Sequence, residues 1–160
     1  MSVAYVGIGS NLGEPARQVE SAFEELGRIR QTSLVARSSL YRSQPVGYAD
    51  QPEFFNAVAA LETSLEPLEL LRELQSIEAR HGRRRSFSNA PRTLDLDLLL
   101  HGQTVVHRQE LTVPHPRMHQ RGFVLKPLLE IAPEVEIPGI GAARARLDAC
   151  ADQFVEKIIG

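Results

Sequence analysis

The chain has 160 residues, 42% of them hydrophobic and 24% charged, with a formal net charge of −2. That length supports one core and leaves too little for a second, so residues 1–160 are expected to form a single domain, and the charge excludes a broad basic surface for nucleic acid. One cysteine, Cys150, rules out an intramolecular disulfide, and no apolar run approaches the ~20 residues of a membrane-spanning helix, so a cytoplasmic protein without membrane partners is expected.

Ser2 to Gly9 is apolar and partly β-branched and runs into Gly-Ser-Asn-Leu-Gly, which predicts a buried strand and then a loop. Pro15 to Ile29 repeats Val19, Ala22, Phe23 and Leu26 at helical spacing, with proline in the first turn where a helix tolerates it. Ser33 to Tyr41 and Phe54 to Glu62 read as strands on either side of Gln44-Pro45-Val46-Gly47-Tyr48, a connection too long for a hairpin and a candidate functional loop. Pro67 to His81 returns to helical spacing through Leu70, Leu71, Leu74 and Ile77, and Gly82 stands where a C-terminal cap belongs. Thr93 to Leu100 alternates apolar and acidic residues ahead of the turn His101-Gly102. The order β-α-β-β-α-β predicts an α+β, ferredoxin-like core, an antiparallel sheet with helices packed on one face. The remainder, Val105 to Gly160, reads as a short strand pair, a helix around Gly122 to Ile131 and a last short helix after Gly141, a C-terminal helical extension.

Arg92-Thr93-Leu94-Asp95-Leu96-Asp97-Leu98 carries the strongest chemical signal. Strand periodicity puts Asp95 and Asp97 on one face and Leu94, Leu96 and Leu98 on the other. Two carboxylates that project together suit a hard cation such as Mg²⁺, which would take phosphate oxygens and waters as its other ligands. Upstream, Arg80, Arg83, Arg84, Arg85 and Arg92 are interleaved with glycine, serine and asparagine, an arrangement able to neutralise phosphates. A solvated acidic strand beside a solvated basic loop is the competing explanation. Neither a third glycine after Gly7-Ile8-Gly9 nor a Walker A sequence is present, so phosphate recognition falls to side chains. His115 and His119 have zinc-helix spacing but lack the intervening glutamate, and zinc is not expected. Asn56 beside Phe54 and Phe55 offers an amide next to an aromatic face, which can read and stack a flat heterocycle, although taken alone the two phenylalanines favour a place in the core.

Taken together, Ala4 to Leu12, Asp50-Gln51-Pro52 with Phe54 to Asn56, Pro91 to Asp97, and Leu111 to His115 leading to Arg121-Gly122-Phe123 resemble the 6-hydroxymethyl-7,8-dihydropterin pyrophosphokinase family. The resemblance implies a monomeric ferredoxin-like enzyme of folate biosynthesis that moves diphosphate from MgATP to the hydroxymethyl group of the dihydropterin and releases AMP. It implies two Mg²⁺ ions at Asp95 and Asp97, and a pterin ring between Phe54 and Phe123 with its edge read by Asn56 and by backbone near Ser43 and Val46. ATP contacts carry over to Gln75, Glu78, Arg85, Arg92, Leu98, Thr112, His115 and Arg121, and Arg83 and Arg92 match arginines that assist the transfer. Asn89-Ala90 stands where the family has a tryptophan, and Glu110 where it often has an arginine, so weaker nucleotide binding is expected. The alternatives are a catalytically weak relative that binds pterin or nucleotide, a ferredoxin-like RNA-binding module, and a two-metal phosphohydrolase. The net charge and missing aromatic pattern weigh against the second, and the lack of further metal ligands against the third.

Overall fold

Alternation along Ser2–Ser10 makes strand β1 two-faced, with Ala4, Val6, Ile8 and Ser10 buried on one side and Tyr5, Gly7 and Gly9 half-buried on the other. The computed structural model describes residues 1–11, 14–44, 53–82 and 94–158. After β1 come helix α1 (Pro15–Leu26), strands β2 (Thr32–Arg37), β3 (Leu40–Ser43) and β4 (Phe54–Thr63), helix α2 (Pro67–Arg80) and strand β5 (Asp95–His101). The main sheet is antiparallel in the order β10-β3-β4-β1-β5, with β2 also paired to β4, where β10 is Val155–Ile158. Among the described residues, no helix is long and apolar enough to cross a membrane.

The two helices begin as their sequences dictate. Both carry proline in the first turn, and α2 adds a capping box in which the Glu66 N–H donates to the Glu69 carboxylate at 2.9 Å. The first helix ends at Leu26, short of the expected Ile29, because the backbone tightens there: Arg28 and Ile29 donate to Glu25 and Leu26, three residues back, in the narrower turn that closes many helices. Val19, Phe23 and Leu26 of α1 and Leu70, Leu74 and Ile77 of α2 pack on Ala4, Val6, Ile8, Leu96 and Leu98 to form one core.

A second core lies on the opposite face of the sheet. Helix α3 (Gly122–Ile131) and a 3-10 run, Ala143–Cys150, pack Leu125, Leu128 and Cys150 with Val58, Leu99 and Leu100. Helices therefore cover both faces, a correction to the one-sided packing expected from sequence. A bulge feeds this layer: Tyr5 pairs with Leu100 but Val6 with Leu98, so Leu99 is the extra residue and β5 supplies leucines to both cores.

The expected strand from Ser33 to Tyr41 is two strands. At the break the Ser38 N–H donates to Val58 O and its hydroxyl accepts the Val58 N–H, each at 2.9 Å, while Ser39 turns to Glu130 of α3. The later strand pair is β6 (Val106–His107) with β7 (Thr112–Val113), and α3 has the bounds read from sequence. A further pair, β8 (Glu136–Ile137) with β9 (Gly141–Ala142), precedes the 3-10 run. The chain past Gly141 is thus helical only to Cys150, and then joins the sheet edge as β10, which the sequence reading did not anticipate.

Candidate functional site

Across the middle of the sheet, Gly7 pairs with Asp97, and Gly9 pairs with Asp95 on one side and Asn56 on the other. These residues share the face that α3 covers farther along. Because both β1 positions lack a side chain, the sheet surface is depressed between the carboxylates of β5 and the amide of β4. A Cβ on Gly9 would stand 3.4 Å from Asn56 Nδ2, at the near limit of ordinary contact.

The depression is a cavity of ≈ 110 Å³. Asp95 and Asp97 stand at one side, Ser43, Phe54 and Asn56 at the other, and Arg121 and Phe123 from the start of α3 close it. Seven of the residues expected from sequence therefore meet in one place. The Ser43 hydroxyl donates to Asn56 Oδ1 at 2.6 Å, which fixes the buried amide and turns its N–H side over Gly9. The Arg121 guanidinium lies over the Phe123 ring, 5.4 Å from its centroid, so a cation and an aromatic face are presented together.

His115 lies beside this group without lining the cavity. Burial, and next the charge of Arg121, push its pKa down to about 4, against an opposing pull from Asp95 and with a further push from Arg117. Its ring is therefore uncharged at neutral pH. Nδ1 accepts the Arg117 N–H at 3.2 Å, which leaves the proton on Nε2 as a donor.

Several other expected contacts stand outside the cavity lining. Gln75 is exposed on α2, Thr112 is half-buried on β7, and the Leu98 side chain is 3% exposed within the α1–α2 core. Glu78 is buried, and its Oε2 accepts the Leu96 N–H at 2.8 Å. Val46, Arg83, Arg85 and Arg92 lie outside the described residues. The sequence reading missed the role of Gly7 and Gly9 as a floor. Their spacing of two within a strand was the available signal, since it removes side chains from one face only.

No cluster of three or more His, Cys, Asp or Glu that could hold a metal occurs among the described residues. The fit is to a hard cation held by the two carboxylates and completed by ligands it brings, as Mg²⁺ arrives with phosphate oxygens and water.

An antiparallel α+β chain that gathers paired carboxylates, an arginine and two phenylalanines around one cavity has the makings of a phosphate-transferring enzyme. The model of the 7,8-dihydro-6-hydroxymethylpterin-pyrophosphokinase (HPPK) family matches residues 5–133, and the chain belongs to that family. It is 47% identical over 156 residues to the 2-amino-4-hydroxy-6-hydroxymethyldihydropteridine pyrophosphokinase of Pseudomonas aeruginosa, covering 98% of this chain and 96% of that one. The enzyme of the same name from Haemophilus influenzae is 47% identical over 158 residues, covering 99% of each. Among solved structures, the wild-type HPPK-DHPS of Plasmodium falciparum with pteroate superposes with a TM-score of 0.74 at 14% identity. That likeness concerns the fold; it covers 92% of this chain and 42% of the Plasmodium chain.

Proposed function

We propose that this chain catalyses transfer of diphosphate from ATP to the hydroxymethyl group of 6-hydroxymethyl-7,8-dihydropterin, releasing AMP, as a pyrophosphokinase of folate biosynthesis. The observation that carries the reading is the convergence of Phe54, Asn56 and Phe123 with Asp95, Asp97 and Arg121 on one cavity, in a chain of this family.

The chemistry divides between the cavity's two sides. A flat pterin stacked between Phe54 and Phe123 would bury its rings against apolar faces, while the Asn56 amide, held by Ser43, and backbone at Ser43 and Val46 would read its edge. Asp95 and Asp97 would hold two Mg²⁺ ions, whose chemistry is to neutralise phosphate charge. Arg83 and Arg92 would assist transfer, and Gln75, Glu78, Arg85, Leu98, Thr112, His115 and Arg121 would serve ATP. His115 is suited to donate from Nε2 without adding charge. The hydroxymethyl oxygen would attack the β-phosphorus in line, and no covalent enzyme intermediate is needed. Positioning of two substrates by fixed groups then supplies most of the acceleration.

The finer architecture follows the same reading. With β2 and β3 taken as one interrupted strand, the sheet order second-third-first-fourth supports a ferredoxin-like plan with β10 added at the edge. Residues 1–160 are proposed as one pyrophosphokinase domain acting as a cytoplasmic monomer. The test is AMP formation from MgATP with and without the dihydropterin, the diphosphate product being followed by mass. Pterin-dependent AMP is expected; binding of either substrate without any product would favour a catalytically weak relative.

A further inference from the structure

Arg121 and Phe123 both line the cavity, and the residue between them, Gly122, opens α3. The first N–H groups of a helix have no partner within it, and Arg121, at the N-cap position, makes no side-chain cap. The partner comes from the far end of the chain. Gln153 Oε1 accepts the Gly122 N–H at 2.7 Å, and Gln153 Nε2 donates to Gln120 O at 2.9 Å. One side-chain amide thus grips the backbone on both sides of Arg121, whose extended conformation joins the 3-10 turn Met118–Gln120 to α3.

The approach is close, so a side chain larger than glycine's would make its neighbours shift. A Cβ on Gly122 would stand 3.3 Å from Gln153 Oε1, 3.3 Å from Val155 Cγ2 and 3.5 Å from Cys150 Cβ. One turn along α3, Lys126 Nζ donates to Val155 O at 3.1 Å. Val155 itself opens β10 and pairs with Ser43, whose hydroxyl holds Asn56. The segment from Cys150 to Val155 therefore bridges the two walls of the cavity, the Arg121–Phe123 corner and the Ser43–Asn56 wall.

We propose that Gln153 is a positioning residue for the transfer: by clamping Gln120 and Gly122 it sets the direction of Arg121 and the distance of Phe123 from the opposite wall. The inference rests on the pyrophosphokinase reading, but it concerns a residue beyond the 5–133 span matched by the family. A local staple with no bearing on the site would lower stability alone. A positioning residue acts through the groups it aims, so its effect must vanish when those groups are removed.

The experiment is a double-mutant cycle in the full chain. Gln153→Leu keeps the side-chain bulk and deletes both hydrogen bonds, so kcat/KM for the dihydropterin should fall about 10-fold or more, on the sensitivity of catalysis to small displacements of positioned groups, while thermal unfolding confirms a folded protein. In an Arg121→Ala, Phe123→Ala background the same change should cost less than about 2-fold. Gln153→Met, close to glutamine in length and also without either amide group, should lose a similar factor, and it carries the comparison if the leucine variant does not fold. Unchanged kcat/KM in a folded variant, or an equal loss in both backgrounds, overturns the proposal. Absence of pterin-dependent AMP from the wild-type chain would instead overturn the underlying function, so the two failures are distinct.

Discussion

Glu78 Oε2 accepts the backbone N–H of Leu96 at 2.8 Å, and Leu96 stands between the two aspartates of the cavity. Among the described residues strand β5 is the last in its sheet, so an N–H on its outer side has no ladder partner among them. A buried carboxylate from α2 takes that place. The helix on one face of the sheet thereby fixes the strand whose acidic side chains project from the other.

Removing this tie should hurt both stability and turnover. Glu78→Ala leaves the Leu96 N–H without its acceptor, a loss of about 1–3 kcal/mol, and should loosen Asp95 and Asp97 enough to lower kcat/KM about 10-fold by the sensitivity of positioned groups. Glu78→Gln retains a carbonyl acceptor and should recover most of both. Urea unfolding beside the AMP assay separates the effects. Full activity in Glu78→Ala would mean that β5 holds its aspartates without help from α2.

Asp97→Ala is expected to keep the fold, since Asp97 is only half-buried and belongs to neither core, while losing transfer by about 10²-fold or more, the scale for deleting one group that stabilises transition-state charge. Near-normal AMP formation would place the cation elsewhere.

The glycine floor makes its own prediction. Gly9→Val adds a branched side chain where even a Cβ would lie 3.4 Å from Asn56 Nδ2, and it would fill part of a cavity of ≈ 110 Å³. Binding of the dihydropterin, read by calorimetry, should weaken about 10-fold or more, the cost of a steric clash of roughly 1.4 kcal/mol or above. Gly7→Ala should be milder, because its Cβ would meet the Leu99 side chain at an ordinary 3.5 Å.

What was legible in the sequence was what short-range pattern controls. Alternation around Asp95 and Asp97 put the carboxylates on one face because a strand has a period of two, and the spacing of Leu70, Leu74 and Ile77 gave α2 because a helix has a period of 3.6. The break at Ser38–Ser39 was not legible, because Ser39 is held by Glu130, 91 residues away. Strand β10 is short and half polar, and it forms because the exposed edge at Leu40–Ser43 accepts it. Gln153 carried no local signal at all, since its partners stand about thirty residues earlier on another element. Of the expected site, the cavity residues follow from strand register and from the start of α3, and the remaining contacts depend on segments that sequence pattern alone does not aim.

The Glu130 carboxylate gathers donors from two strands. It accepts the Ser39 N–H at 3.0 Å, the Ser39 hydroxyl at 2.7 Å and the Tyr41 hydroxyl at 2.8 Å, with Lys157 Nζ 3.8 Å away. Burial alone would push its pKa up, but the Ser39 and Tyr41 hydrogen bonds and the Lys157 charge outweigh that and hold it below the usual 4.5. Burial, and next the same contact, raise the pKa of the Tyr41 phenol. A carboxyl whose folded pKa lies below its unfolded one stabilises the fold fully above the unfolded value, and loses that contribution as the pH drops through the folded value. Glu130→Gln offers one carbonyl oxygen and turns an N–H₂ toward groups that are themselves donors. It should cost about 1–3 kcal/mol at neutral pH. The gap between wild type and variant should then narrow as the pH falls below 4.5, because protonated Glu130 is no better an acceptor than the amide. Urea unfolding of both proteins across the acid range measures this; a gap that stays constant would show that the carboxylate's ionisation is not linked to the packing of α3 against β3 and β10.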